Sequence, residues 1–167
     1  MAFSIYEASV PVFTQMLKNL SGLLVKADAY AKANNISEEE LLGSRLYPDM
    51  FELKRQIQIA TDHAKGCAAR LTGSDVPSFP DVETSIETLQ ARIQKTLDFI
   101  GSFKPEQFEG GEERAIKLVF SWATFEFTGS RYLTYWALPN FFFHTTTAYD
   151  ILRHKGVNVG KADFIGQ

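Results

Sequence analysis

The sequence predicts an all-α fold, an up-down four-helix bundle, on three observations. Four long segments repeat apolar residues at three- and four-residue steps. Cap and stop residues bracket these segments. Residues 104–129 lose the helical period, so the connection before the last helix is long and is filled by a short hairpin or an extended flap.

The first helix is expected over 4–34. Ser4 and Glu7 have capping-box spacing, and Phe13, Met16, Leu17, Leu20, Leu24, Ala27 and Ala31 form the stripe. Pro11 lies early in it, so either the first turns kink or the helix begins at Ser9. Asn34 and Asn35 end it. The second, 49–72, starts on the signal Asp49-Met50-Phe51-Glu52 and shows Leu53, Ile57, Ala60, Ala64, Cys67 and Leu71, with Gly73 as its stop. The third, 82–101, begins near Asp81 or Thr84 and carries Ile86, Leu89, Ile93, Leu97 and Ile100 on one face. Gly110 and Gly111 break the chain after it. Thr124, Phe125, Glu126 and Phe127 then alternate with period two. The last helix, 131–155, has a lead-in capped by Ser130 and opens fully at Pro139, where a missing N–H is harmless. Gly156 closes it, and residues 156–167 form an extended tail pinned by Phe164 and Ile165.

A chain of 167 residues suits a single domain, 1–167, with a sizeable core. No apolar run reaches the roughly 20 residues that span a bilayer, and the N-terminus shows no basic leader followed by an apolar stretch. One cysteine, Cys67, excludes an internal disulfide and fits a reducing compartment, so a cytoplasmic location is expected. The net charge of −3, with no basic block, argues against a nucleic-acid partner, and no membrane partner is expected.

Chemistry concentrates on the last helix. Asn140 and His144 stand four residues apart on one face, continued by Thr147 and Ile151. Of three histidines, His154 falls in the last turn, where it favours the helix dipole and solvent. His63 lies about 80° from the centre of the second stripe, and His144 within about 20° of Ile151. Two histidines converging from different helices are how bundle cores build metal sites, and imidazole suits zinc, nickel, copper and iron. The alternative is that each ring is neutral, hydrogen-bonded and structural. Cys67, one turn from His63, reads as a fourth ligand or activated thiolate, or as the small buried hydrophobe that free cysteines usually are. Tyr132, Tyr135, Trp136, Phe141, Phe142 and Phe143 would line an apolar pocket or an interface. Phe142 and Tyr149 point away from His144, which favours a homodimer through that outer stripe. Asp62 and the acidic run Glu38, Glu39, Glu40 read as solvated helix surface.

The segment from His144 to Gly156 resembles the last helix of the DinB/YfiT-like superfamily, metalloenzymes folded as four-helix bundles. That helix carries His-x-x-x-His, and a further ligand comes from the second helix, where this chain offers His63. The fuller pattern, Leu-Pro-Asn-Phe-Phe-Phe-His, then Thr-Ala-Tyr, then Leu-Arg-His-Lys-Gly, is similar to a domain-of-unknown-function family bordering that superfamily. The likeness covers nearly the whole chain. It implies a metal site of His63, His144 and Asn140, with Asn140 where the first histidine of the motif belongs. A carboxamide oxygen is a weaker ligand than imidazole, so the implied site is degenerate: zinc or nickel held weakly, or no metal. By the resemblance, the activity is that of a metal-dependent hydrolase or thiol transferase on a small substrate. The competing reading is a non-catalytic dimeric bundle or small-ligand-binding protein with no metal.

Overall fold

A computed structural model describes residues 4–166. Residues 1–3, part of the stretch where no leader is read, and residue 167, the end of the expected tail, lie outside the described residues. The chain is mostly helical with one small sheet: α1 (Val10–Asn34), α2 (Glu38–Leu42), α3 (Leu53–Thr72), α4 (Ile86–Gly101), β1 (Ala115–Val119), β2 (Thr124–Thr128), α5 (Gly129–Tyr132), α6 (Leu138–His154) and α7 (Lys161–Ile165). A 3-10 turn, Pro105–Phe108, precedes β1, and Leu133–Ala137 is a π-helical segment joining α5 to α6.

The helix starts differ from expectation for local reasons. Ser4 and Glu7 do bond reciprocally, at 3.0 and 3.2 Å, but residues 5–9 form turns and α1 begins at Val10, so Pro11 falls within its first turn. Its ring would clash one turn back, which fixes the start there. Asp49 does not open α3. Glu52 holds the N-cap position in extended backbone, and its carboxylate pairs with Arg45 and Lys54. Nor do Asp81 or Thr84 open α4: Ser85 caps it in a box with Thr88, while Asp81 is drawn into ion pairs with Arg55 and Arg92. In the acidic run, Glu39 and Glu40 are exposed helix surface as expected, while Glu38 is half-buried. The run forms α2, capped by the Ser37 hydroxyl, and Glu38 accepts the Ile86 N–H at 2.8 Å.

Of the two fillings expected for 104–129, the hairpin forms. β1 and β2 pair antiparallel with Ile116 opposite Phe127 and Leu118 opposite Phe125. Phe125 and Phe127 then meet Trp136, with ring centroids 4.9 and 5.9 Å apart. As expected, a helical lead-in meets the last helix at Pro139, which lies in the first turn of α6. The backbone is already helical from Gly129, and Pro139 sits directly after the π segment, where its missing N–H removes one i→i−4 bond. The tail is not wholly extended: α7 folds back onto α1, and Phe164 packs edge-on against Tyr149 at 5.7 Å. The outer stripe of α6 is thus covered in part by the chain itself, with Phe142 and Tyr149 half-buried.

α3 packs against both α4 and α6, and α1 against α4, α6 and α7. Gln56 meets His144 near one end of α3 and Arg70 meets Tyr132 near the other, so α3 and α6 run antiparallel. The shared core takes Phe13, Leu17 and Leu24 from α1, Ile57 and Ala64 from α3, Leu89 and Ile93 from α4, and Phe141 and Ile151 from α6. Thirteen of the 20 residues of α3 are buried, more than one face supplies, so its polar side chains need partners. Arg92 of α4 answers several of them. Its guanidinium donates to Thr61 Oγ1 at 2.7 Å, Asp62 at 2.9 Å and Glu83 at 3.1 Å. Gln58 donates to Glu83 at 2.8 Å and Lys65 to Asp62 at 2.9 Å. Asp62, half-buried, is therefore tied into the ionic cluster around the buried Arg92 rather than standing free on the surface.

The end of α6 is closed by paired bonds from Gly156 N–H to the Arg153 carbonyl and from Val157 N–H to the Leu152 carbonyl, at 3.1 and 3.0 Å. Gly156 has φ +94°, and a Cβ there would lie 2.8 Å from Tyr30 Oη, which donates to the Lys155 carbonyl. Gly156→Ala should cost about 1–3 kcal/mol in urea unfolding, from the left-handed backbone and the loss of that contact. Arg92→Met should cost about 3–5 kcal/mol by the same measurement, because it strands the buried Glu83 carboxylate.

Candidate functional site

α3 and α6 face one another along a row of polar side chains. From α3 come Gln56, His63 and Arg70; from the opposing strand of helix come His144, Asn140 and Tyr132. Gln56, His63 and Arg70 are spaced by seven, two turns apart, and so share one side of α3. The structure brings His63 and His144 together: their rings are nearly parallel, 15° apart, with centroids 6.0 Å apart. His144 is buried and His63 is half-buried. His144 Nδ1 lies 2.7 Å from Gln56 Oε1, and the exposed Phe143 ring meets it edge-on at 5.2 Å.

Asn140 sits one turn before His144, half-buried, and its Nδ2 donates to the Trp136 carbonyl at 2.8 Å. The amide nitrogen is thus tied to the π segment, leaving Oδ1 as the atom with donor capacity toward an ion. Cys67 is fully buried and burial pushes its thiol pKa up, as expected for a small buried hydrophobe rather than a thiolate. Arg70 donates to Tyr132 Oη at 3.1 Å and closes the row. His154 is exposed in the last turn of α6, as the sequence indicated.

Among the described residues, no group of three or more His, Cys, Asp or Glu side chains is gathered as an ion would require. The two imidazoles alone pass a distance test. At Zn–N bonds of about 2.0–2.1 Å, two rings sharing one ion have centroids roughly 5–6 Å apart, close to the separation found. The chain therefore offers two imidazoles at a separation that one shared ion would need, with the Asn140 carboxamide one helical turn before His144.

Gln56 is the residue that the sequence reading missed. It lay outside the apolar stripe that defined the second helix, and only its seven-residue spacing from His63 marked it.

Electrostatics keep both rings neutral at pH 7. Burial is the main cause for each, lowering both pKa values to about 4; His144 and Arg70 add to the effect on His63, and Arg55 to that on His144. An unfolded histidine titrates near 6.5, so as pH falls the unfolded chain takes up these protons first. The stability the rings confer is intact above about pH 6.5 and is lost progressively toward pH 4, at up to about 1.4 kcal/mol per pH unit for each ring. Urea unfolding across this range measures the slope. A His144→Asn variant should flatten it, and an unchanged slope would place the loss on carboxylates instead.

Comparison with known proteins agrees with this architecture. The chain matches, over residues 5–165, the family described as a Domain of unknown function (DUF1993). It is 40% identical to a DinB family member protein from Shewanella denitrificans, whose crystal structure superposes with a TM-score of 0.90, covering 98% of this chain and 92% of that one. No curated protein matches it. The chain belongs to the DUF1993 family and is a DinB-like protein.

Proposed function

We propose that this protein is an up-down four-helix bundle of the DinB type whose His63, His144 and Asn140 form a degenerate site for a divalent metal, zinc or nickel, held weakly. The observation that supports this most is the parallel imidazole pair, 6.0 Å between centroids, contributed by two different helices. Both rings are neutral, the state in which imidazole offers a lone pair to a metal. His63 and His144 would be the strong ligands and Asn140 Oδ1 the weak one. A bound ion would supply Lewis-acid polarisation of a substrate oxygen, or a lowered pKa for a thiol or water, which suits a hydrolase or thiol transferase acting on a small molecule. The chain's own residues position the site. Gln56 holds His144, the Trp136 carbonyl holds the Asn140 amide, and Phe143 stands exposed beside His144 as an apolar edge for a ligand.

A second reading is a non-catalytic bundle with no metal, acting as a dimer or small-ligand binder. The Asn140 bond to Trp136 supports it, since that side chain already has a structural partner. A dimer would draw on the exposed Tyr135 and Phe143 rather than on Phe142 and Tyr149 alone.

Asn140→His separates the two. If the site takes metal, a third imidazole should raise zinc or nickel affinity at least tenfold, about 1.4 kcal/mol, measured by calorimetric titration of tag-free protein. Added metal should then raise the Tm of the variant more than that of the parent. An equal response in both, unaffected by His63→Ala, retires the metal reading.

A further inference from the structure

We infer that Gln56 is a positioning residue that fixes His144 as its Nδ1–H tautomer and leaves Nε2 as the nitrogen with a lone pair. Phe51 lies two residues before α3. The Phe51 carbonyl can only accept a hydrogen bond, and Gln56 Nε2 donates to it at 2.9 Å. That bond settles which end of the carboxamide is which: the nitrogen faces Phe51, so the oxygen faces His144. Oε1, also an acceptor only, lies 2.7 Å from Nδ1. Two acceptors do not make a hydrogen bond, so Nδ1 carries the proton. In a neutral imidazole the other nitrogen is then unprotonated. Gln56 is itself buried, 1% exposed, and Phe51 O is part of the chain entering α3, so the relay from backbone to ring is held by the fold.

A histidine that donates through one nitrogen and presents the other as a lone pair is arranged to bind a metal or accept a proton. Gln56 therefore selects which nitrogen does so. The part of this inference that concerns metal affinity rests on the metal reading above; the tautomer does not.

Two-bond proton–nitrogen correlation spectra of the metal-free, 15N-labelled protein near pH 7.5 read the tautomer directly. The parent should show His144 Nδ1 as a protonated nitrogen and Nε2 as an unprotonated one. Gln56→Leu removes the acceptor and should move His144 to a mixture with a substantial Nε2–H population. Gln56→Glu keeps an acceptor oxygen and should retain the Nδ1–H form, a rescue that loss of packing alone would not produce. A parent protonated at Nε2, or a Gln56→Leu spectrum unchanged at His144, overturns the inference, and the first of these needs no variant to fold. In zinc titrations followed by the same resonances, Gln56→Leu should bind about 10–100-fold more weakly than the parent. A parent that shows the Nδ1–H form yet gives no response to zinc leaves Gln56 in its role and ends the metal reading.

Discussion

The structure depends on α3, a helix enclosed on several sides that nevertheless carries Gln56, Gln58, Thr61 and Lys65 among its buried residues. A buried polar group without a partner costs about 1–3 kcal/mol, so each must be met by a neighbour in a definite position. Gln56 meets His144 of α6, Gln58 meets Glu83 of the loop before α4, and Thr61 meets Arg92 of α4. These are directional contacts, and they fix how α4 and α6 are set against α3 in a way that apolar packing alone does not. Small residues complete the arrangement: Ala60, Ala64, Cys67, Ala68 and Ala69 are all buried and let neighbouring helices approach closely, while the missing side chain of Gly66 leaves room for the Arg70 guanidinium.

The same requirement explains what could and could not be read in the chain. The long helices were legible because their stripes repeat at the helical period, and the hairpin because Thr124, Phe125, Glu126 and Phe127 alternate. Convergence of His63 and His144 followed from where they fall on their stripes. Arg92 and Glu83 were not legible: each is a charged residue in a polar stretch, and only three-dimensional neighbours distinguish a buried ionic cluster from a solvated face. Asp49 and Asp81 both have capping chemistry, yet Asp49 caps nothing and Asp81 serves ion pairs. α7 is five residues long, too short for periodicity to reveal.

The polar row on α3 also sets the character of the candidate site. Burial keeps both imidazoles uncharged, while the guanidiniums of Arg55 and Arg70, near His144 and His63 respectively, oppose their protonation. Positive charge is thus supplied next to the rings rather than on them.

The π segment Leu133–Ala137 has a consequence for helical phase. Tyr132 and His144, the two residues of this long helix that meet α3 at Arg70 and Gln56, are twelve positions apart. At about 100° per residue, a regular helix would set them about 120° out of phase. A turn closed i→i+5 absorbs one residue, which leaves about 20° and puts both on the side facing α3. The widened turn works as a phase corrector between two helices of unequal residue count. Deleting one residue within 133–137 would leave the two contacts eleven positions apart, again about 20° out of phase in a regular helix, so the extra residue and the widened turn could be lost together while both ends kept facing α3.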